Sequence, residues 1–303
     1  MWFALVATVM FSISVVAAGR SSRLLGSHTA NFWRIAVAVV LLGIWAFSVG
    51  SGFGGGAFLV FFLSGCVGFG LGDVALFQSL PRLGPRLASL MVNCLAAPFA
   101  ALIEWGWMGT RLSALQVVCG TAILVGVALA LAPEKQTANS PQVGMAGIVF
   151  GTLAGFGQGF GAVISRKAYA VSAASGHNVD GGSAAFQRIL GGLVIVAIPF
   201  FWVQYRRWLT PQSERAARLG IAERKAARWW VLVNALSGPT IGVAFYQWAL
   251  KTTPSGIVLP IVATTPLVVI PLTYRLEGDR PGVKSLVGGV VAVAGVAGLT
   301  LAS

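Results

Sequence analysis

The chain has 303 residues, of which 56% are hydrophobic and only 10% charged. A soluble domain carries roughly a quarter of its residues as charged side chains. That excludes a soluble globular protein and makes the span of roughly 20 apolar residues the useful unit.

Ten apolar segments follow one another at about 3–19, 30–49, 57–79, 86–105, 113–132, 143–164, 184–204, 229–250, 255–274 and 282–302. Each can cross the hydrocarbon as a helix, which satisfies its own backbone groups there. The first runs into Ala17-Ala18-Gly19 but lacks the basic leader of a signal peptide, and is expected to be a retained span. Gly52 to Gly56 form a turn without the Lys-Ser/Thr of a phosphate loop. Gly68-Phe69-Gly70-Leu71-Gly72 lies inside a span, not in a βαβ unit, and is not a dinucleotide loop. Cys66, Cys94 and Cys119 fall in apolar runs with no second Cys or His at metal spacing, so no disulfide, metal site or cofactor is expected.

A polar segment, 133–142, breaks the chain near its middle. The longest connection, 205–228, is rich in Arg, Lys and Glu and is expected to be solvated or to lie on anionic lipid. Trp105, Trp107, Trp202, Trp208, Trp229 and Trp230 gather at span ends, as an interfacial belt does. The net charge of +13 is not a nucleic-acid signal, because the basic residues lie mainly between the spans.

The two halves resemble each other. A shift of 169 residues lays Val74-Ala75-Leu76-Phe77-Gln78 on Val243-Ala244-Phe245-Tyr246-Gln247, and Arg82 and Pro85 on Lys251 and Pro254. The same shift lays Gly109, Arg111, Gly120 and Gly126 on Gly278, Arg280, Gly289 and Gly295. At a shift of 154, Phe32 and Arg34 match Phe186 and Arg188. Five spans per repeat is an odd number, so the halves must be inverted. The fold class is therefore an all-α polytopic membrane protein of ten helices in two inverted repeats, 1–132 and 143–303.

Connections on one side of the membrane hold all the Lys and Arg residues except Arg111, Arg166, Lys167, Arg188 and Lys251. The excess of positive charge stays cytoplasmic, so the charges favour both termini outside and the 205–228 connection inside, with the opposite orientation, both termini inside, left open.

Asp73 stands out as the acidic residue well within a span. An intramembrane carboxylate is costly unless it faces a cavity or a partner. It can couple protons or hold a substrate amine, or be a neutral or paired Asp near the interface. Gln78 and Gln247 are a repeat-related polar pair beside Phe77 and Tyr246, able to line one cavity or to join helices. Arg34 and Arg188 begin the second span of each half and can snorkel to headgroups or bind a substrate carboxylate. Asn93, Gln158, Thr264 and Thr265 are further polar residues within spans, and Pro98, Pro260 and Pro266 can kink theirs.

Gly109-Thr110-Arg111-Leu112-Ser113 with Gly120 and Gly126, and Gly278-Asp279-Arg280 with Gly289 and Gly295, resemble the EamA-type repeat of the drug/metabolite transporter superfamily. The family's Gly-Glu-Arg turn has Thr110 and Asp279 in place of Glu. The resemblance covers both halves and implies a secondary transporter in a bacterial-type inner membrane, exporting small metabolites such as amino acids. Its partners would be a small-molecule substrate and the lipid bilayer, with no oligomer required. The alternatives from other classes are an intramembrane enzyme and a non-transporting scaffold. Neither Gly-x-Ser-x-Gly nor His-Glu-x-x-His is present, so no catalytic residue is assigned.

Overall fold

The computed structural model describes residues 1–131, 144–209, 221–269 and 283–302. There the apolar runs form helices α1 (Trp2–Leu25), α2 (Ser27–Ser48), α3 (Phe58–Gly65), α4 (Asp73–Met108), α5 (Ala114–Leu131) and α6 (Met145–Ala174). They continue as α7 (Gly181–Leu209), α8 (Ile221–Ala235), α9 (Val243–Thr252), α10 (Ser255–Val262) and α11 (Val283–Leu301). No strand occurs among the described residues. The molecule is an all-α polytopic membrane protein. Large apolar side chains such as Val40, Ile44, Val194 and Ile198 point outward, as they do where the solvent is lipid.

Two helices cross only after a break in their hydrogen-bond ladder. A π-helical stretch, Cys66–Gly72, joins α3 to α4, and another, Leu236–Gly242, joins α8 to α9. The two lie at corresponding places in the halves. In the second, Pro239 lacks the N–H that an α-helix would use. In the first, glycines admit neighbouring backbone: a Cβ on Gly68 would meet the Arg188 side chain, and one on Gly72 the Gly157 backbone.

The expected gap between the third and fourth spans keeps helical geometry, and Asp73–Met108 consists of two helical legs that meet between Leu83 and Met91. The direction nevertheless reverses. Along α6, Gly161 touches Gly68, Gly157 touches Gly72 and Gly147 touches Leu83. Going back up α6, Gly151 meets Met91, Gly155 meets Leu95 and Gly159 meets Ala96 and Ala100. Phe58–Leu76 and Met91–Met108 are thus two antiparallel spans on one face of α6. The helix that carries the eighth span begins at Ile221, ahead of the apolar run at 229, and takes in the end of the basic connection.

The halves pack crosswise. α6, the first span of the second half, lies against α3, the first π stretch and α4, while α1 lies against α8, the second π stretch and α9. α2 pairs with α7, and α5 with α11. Without a hydrophobic drive between helices in lipid, close backbone approach at small residues holds such pairs. The α5–α11 seam shows this: a Cβ on Gly126 would lie 2.6 Å from Ala292 N and Gly288 O, and one on Gly295 would lie 2.9 Å from Cys119 O. Gly109, at φ 71, caps α4 in the left-handed region and reverses the chain, which explains the glycine of that turn. Its counterpart Gly278-Asp279-Arg280, segment 133–142 and residues 210–220 of the basic connection lie outside the described residues.

Met1 and Ala302 share a membrane face, since Phe3 stacks on Trp248 and Gln116 donates to the Ala302 carbonyl. Connections 49–57, 109–113, 175–180 and 253–254 lie on that face.

Candidate functional site

Asp73 is the first residue after the first π stretch and is buried. Arg34 Nη2 reaches its Oδ2 at 3.0 Å, and Gln158 Nε2 donates to its Oδ1 at 3.3 Å. Arg34 is oriented by Nε, which donates to Asn31 Oδ1 at 2.7 Å. Gln158 gets there because Gly157 and Gly161 let α6 approach the backbone at Gly72 and Gly68. A lone carboxylate here would carry a large desolvation penalty, which the guanidinium offsets only through this direct contact. Arg34 therefore points inward to an acid partner instead of snorkelling.

Arg188, its repeat mate, is more deeply enclosed, at 2% exposure. Its Cζ lies 4.9 Å from the Phe69 ring centroid and 5.7 Å from that of Tyr246. Its Nε is buried without a hydrogen-bond partner among the described residues. Asp73 lies within its electrostatic reach. One carboxylate is thus shared between two repeat-related arginines, with a hydrogen bond to one of them. Gly68 makes room for the second, because a Cβ there would lie 2.5 Å from Arg188 Nη2.

The two glutamines are placed differently. Gln78 is half-buried, and its Oε1 accepts from Arg82 Nη1 at 2.9 Å. Gln247 is fully buried, and neither amide atom has a partner among the described residues. Tyr246 sits between Arg188 and Phe11, whose ring it meets edge-on at 6.1 Å. Asn93 is half-buried on the returning part of α4. The Phe77 side chain lies outside the described residues.

Sequence reasoning singled out Asp73 among the acids and missed Glu104, which is 2% exposed near the end of α4. Arg166 Nε meets Glu104 Oε1 at 2.6 Å, while Arg166 Nη1 donates to the carbonyls of Leu250 and Thr253, each at 2.8 Å. Ser255 donates its backbone N–H, at 2.7 Å, and its hydroxyl to Glu104 Oε2. The cluster ties α4 and α6 to the turn between α9 and α10. Trp105 and Trp107 beside Glu104 suggest an interfacial acid in the sequence, and only the fold shows that it is enclosed. Among the described residues no group of three or more His, Cys, Asp or Glu side chains can hold a metal ion.

The model of the EamA-like transporter family matches residues 1–132 and again 145–301. The chain belongs to the EamA-like transporter family. It is accordingly an integral, multi-pass membrane transporter of the drug/metabolite superfamily. One solved protein crystal structure shares the fold of this EamA-like chain with a TM-score of 0.68 and 18% identity, over 99% of this chain and 96% of that one. No curated protein sequence matches.

Proposed function

We propose that this EamA-like protein is a secondary transporter of the bacterial-type inner membrane that exports small metabolites, amino acids or related compounds, by alternating access between repeats 1–132 and 143–303. The observation that carries this reading is the buried Asp73 between Arg34 and Gln158, at the break between α3 and α4, with Arg188 beyond it. A carboxylate in a packed membrane interior, held by partners that a substrate or proton can displace, is a switch element. The crosswise packing gives the two repeats surfaces on which to rock. The basic connection at 205–228 rests on anionic lipid in this reading.

The test compares extracellular and intracellular metabolites of cells expressing the protein, its Asp73→Asn variant at equal membrane abundance, or an empty vector. One compound depleted inside and gained outside, and lost in the variant, supports the reading. Equal flux in the variant removes Asp73 from the mechanism, and no flux from the wild type removes export.

A further inference from the structure

Between the end of α6 and the end of α9, on the Met1 face, lies an open cleft of ≈ 250 Å³ lined by Arg166, Tyr169, His177, Asn178 and Lys251 among others. Arg166 is spoken for by Glu104 and two carbonyls. Among the described residues Lys251 has no carboxylate within salt-bridge distance: its Nζ donates to Asn178 Oδ1 and, at 2.8 Å, to the Val179 carbonyl, both uncharged. The adjacent acid, Asp180, is engaged by Trp45 Nε1, by the Ser183 hydroxyl and by the N–H groups of Gly182 and Ser183 at the start of α7. Tyr169 forms the floor. It is 7% exposed, and its hydroxyl is buried without a partner among the described residues. Lys251 Nζ lies 6.0 Å from its ring centroid, and Asp180 and Arg188 both lie within electrostatic reach of Tyr169.

We propose that this cleft is a binding site for a small monocarboxylate, distinct from the Asp73 centre. Lys251 supplies the counter-charge, and the unpartnered Tyr169 hydroxyl, buried beneath the floor, is the donor that a carboxylate pressing into the floor would meet. A single ammonium, with the negative Asp180 beside it, can meet at most one negative charge, which favours a monoanion over a dianion. The inverted repeat carries a counterpart: Arg82, the mate of Lys251, lies 5.1 Å from the ring centroid of Phe150. Phe150 and Tyr169 stand at the two ends of α6, roughly 28 Å apart at 1.5 Å per residue. The proposal rests on the transporter reading for its purpose but not for its test.

Benzoate and benzamide, alike in shape and unlike in charge, are the probes for the full-length protein in nanodiscs, read by saturation-transfer NMR. Wild type is expected to bind benzoate saturably and benzamide at least tenfold more weakly. Lys251→Gln should weaken benzoate at least fivefold. Tyr169→Phe should weaken it severalfold without lowering the melting temperature, because it removes a hydroxyl that folding leaves unpaired. Benzamide binding equal to benzoate, no benzoate binding at 10 mM, on the order of the weakest useful affinities, or full binding in Lys251→Gln would each overturn the site. Any of these alongside Asp73-dependent metabolite export would sink the cleft alone. Absence of that export with benzoate binding intact would sink the transport reading and leave the site.

Discussion

Arg34 and Arg188 occupy matching places in the two halves, yet among the described residues only Arg34 has a carboxylate within hydrogen-bond distance, that of Asp73 at 3.0 Å. The repeat duplicated the cation and not the acid, since the position matching Asp73 is Gly242. Removing either member of the pair leaves a buried charge without its partner, which costs about 3–5 kcal/mol. Arg34→Gln and Asp73→Asn should each lower the thermal unfolding temperature, and the double variant should lose less than the sum of the two. Additive losses in a double-mutant cycle would show that the pair is not coupled.

Glu104 and Arg166 fasten the Met1 face through the α9–α10 turn. Glu104→Ala should loosen that face. With the native cysteines replaced by serine, a cysteine at Ser172, buried in the cleft wall, should then react at least about tenfold faster with a membrane-impermeant maleimide, which corresponds to ~1.4 kcal/mol. An unchanged labelling rate would mean that the cluster holds nothing closed.

Glycine substitutions should divide sharply. A Cβ on Gly65 would lie 1.6 Å from the Arg188 carbonyl oxygen, whereas one on Gly106 meets nothing within 4 Å. Gly65→Ala must push α7 off α3, a change beyond the ~1–3 kcal/mol of ordinary overpacking, and should abolish folded protein in size-exclusion profiles. Gly106→Ala should elute as wild type.

Asp180 precedes α7 and caps it. Partial burial alone would raise its carboxyl, but hydrogen bonds from the Ser183 and Trp45 side chains and from the Ser183 and Gly182 N–H groups outweigh that and hold its pKa below the usual carboxylate value. A lowered folded-state pKa means that the cap is complete above the ordinary carboxylate range and is lost as pH falls through the lowered value. Hydrogen exchange at Gly182 and Ser183, corrected for the intrinsic rate, should stay slow from neutral pH to about 4 and quicken below it. Asp180→Ala should expose the same amides at neutral pH, at a cost of about 1 kcal/mol.

The distribution of Lys and Arg predicts that the face opposite Met1 is cytoplasmic. A reporter active only outside the cytoplasm, fused after Ala302, should be active. An inactive reporter with a folded carrier would reverse the assignment.

The all-α character, the spans and the repeat are legible in the sequence because lipid permits few solutions: an apolar run must become a helix, and a duplicated pattern must become a duplicated fold. Asp73, Arg34 and Gln158 could each be noticed as polar residues in apolar surroundings. Their meeting could not, because it depends on α6 docking at Gly157 and Gly161, and spacing along one chain does not report distances between helices. Glu104 escaped notice for a related reason. Two tryptophans beside it mark an interface, and its enclosure comes from Arg166 and Ser255, far away in sequence. The break between the third and fourth spans was legible too, in Pro81-Arg82 and Pro85-Arg86 between two apolar runs, and what the sequence did not show is that the backbone keeps helical geometry there.

The π stretch before Asp73 sets the angular phase of all that follows. A wide turn holds one residue more than an α-turn, and each residue rotates an α-helix by about 100°. Deleting one residue from Cys66–Gly72, Leu71 for example, would let the ladder close in α geometry and swing Asp73 away from Arg34 with no change to either side chain. The pairing at the centre of the molecule therefore depends on a surplus residue that touches neither partner. Substitution scans would pass over it, while a single codon deletion would reveal it.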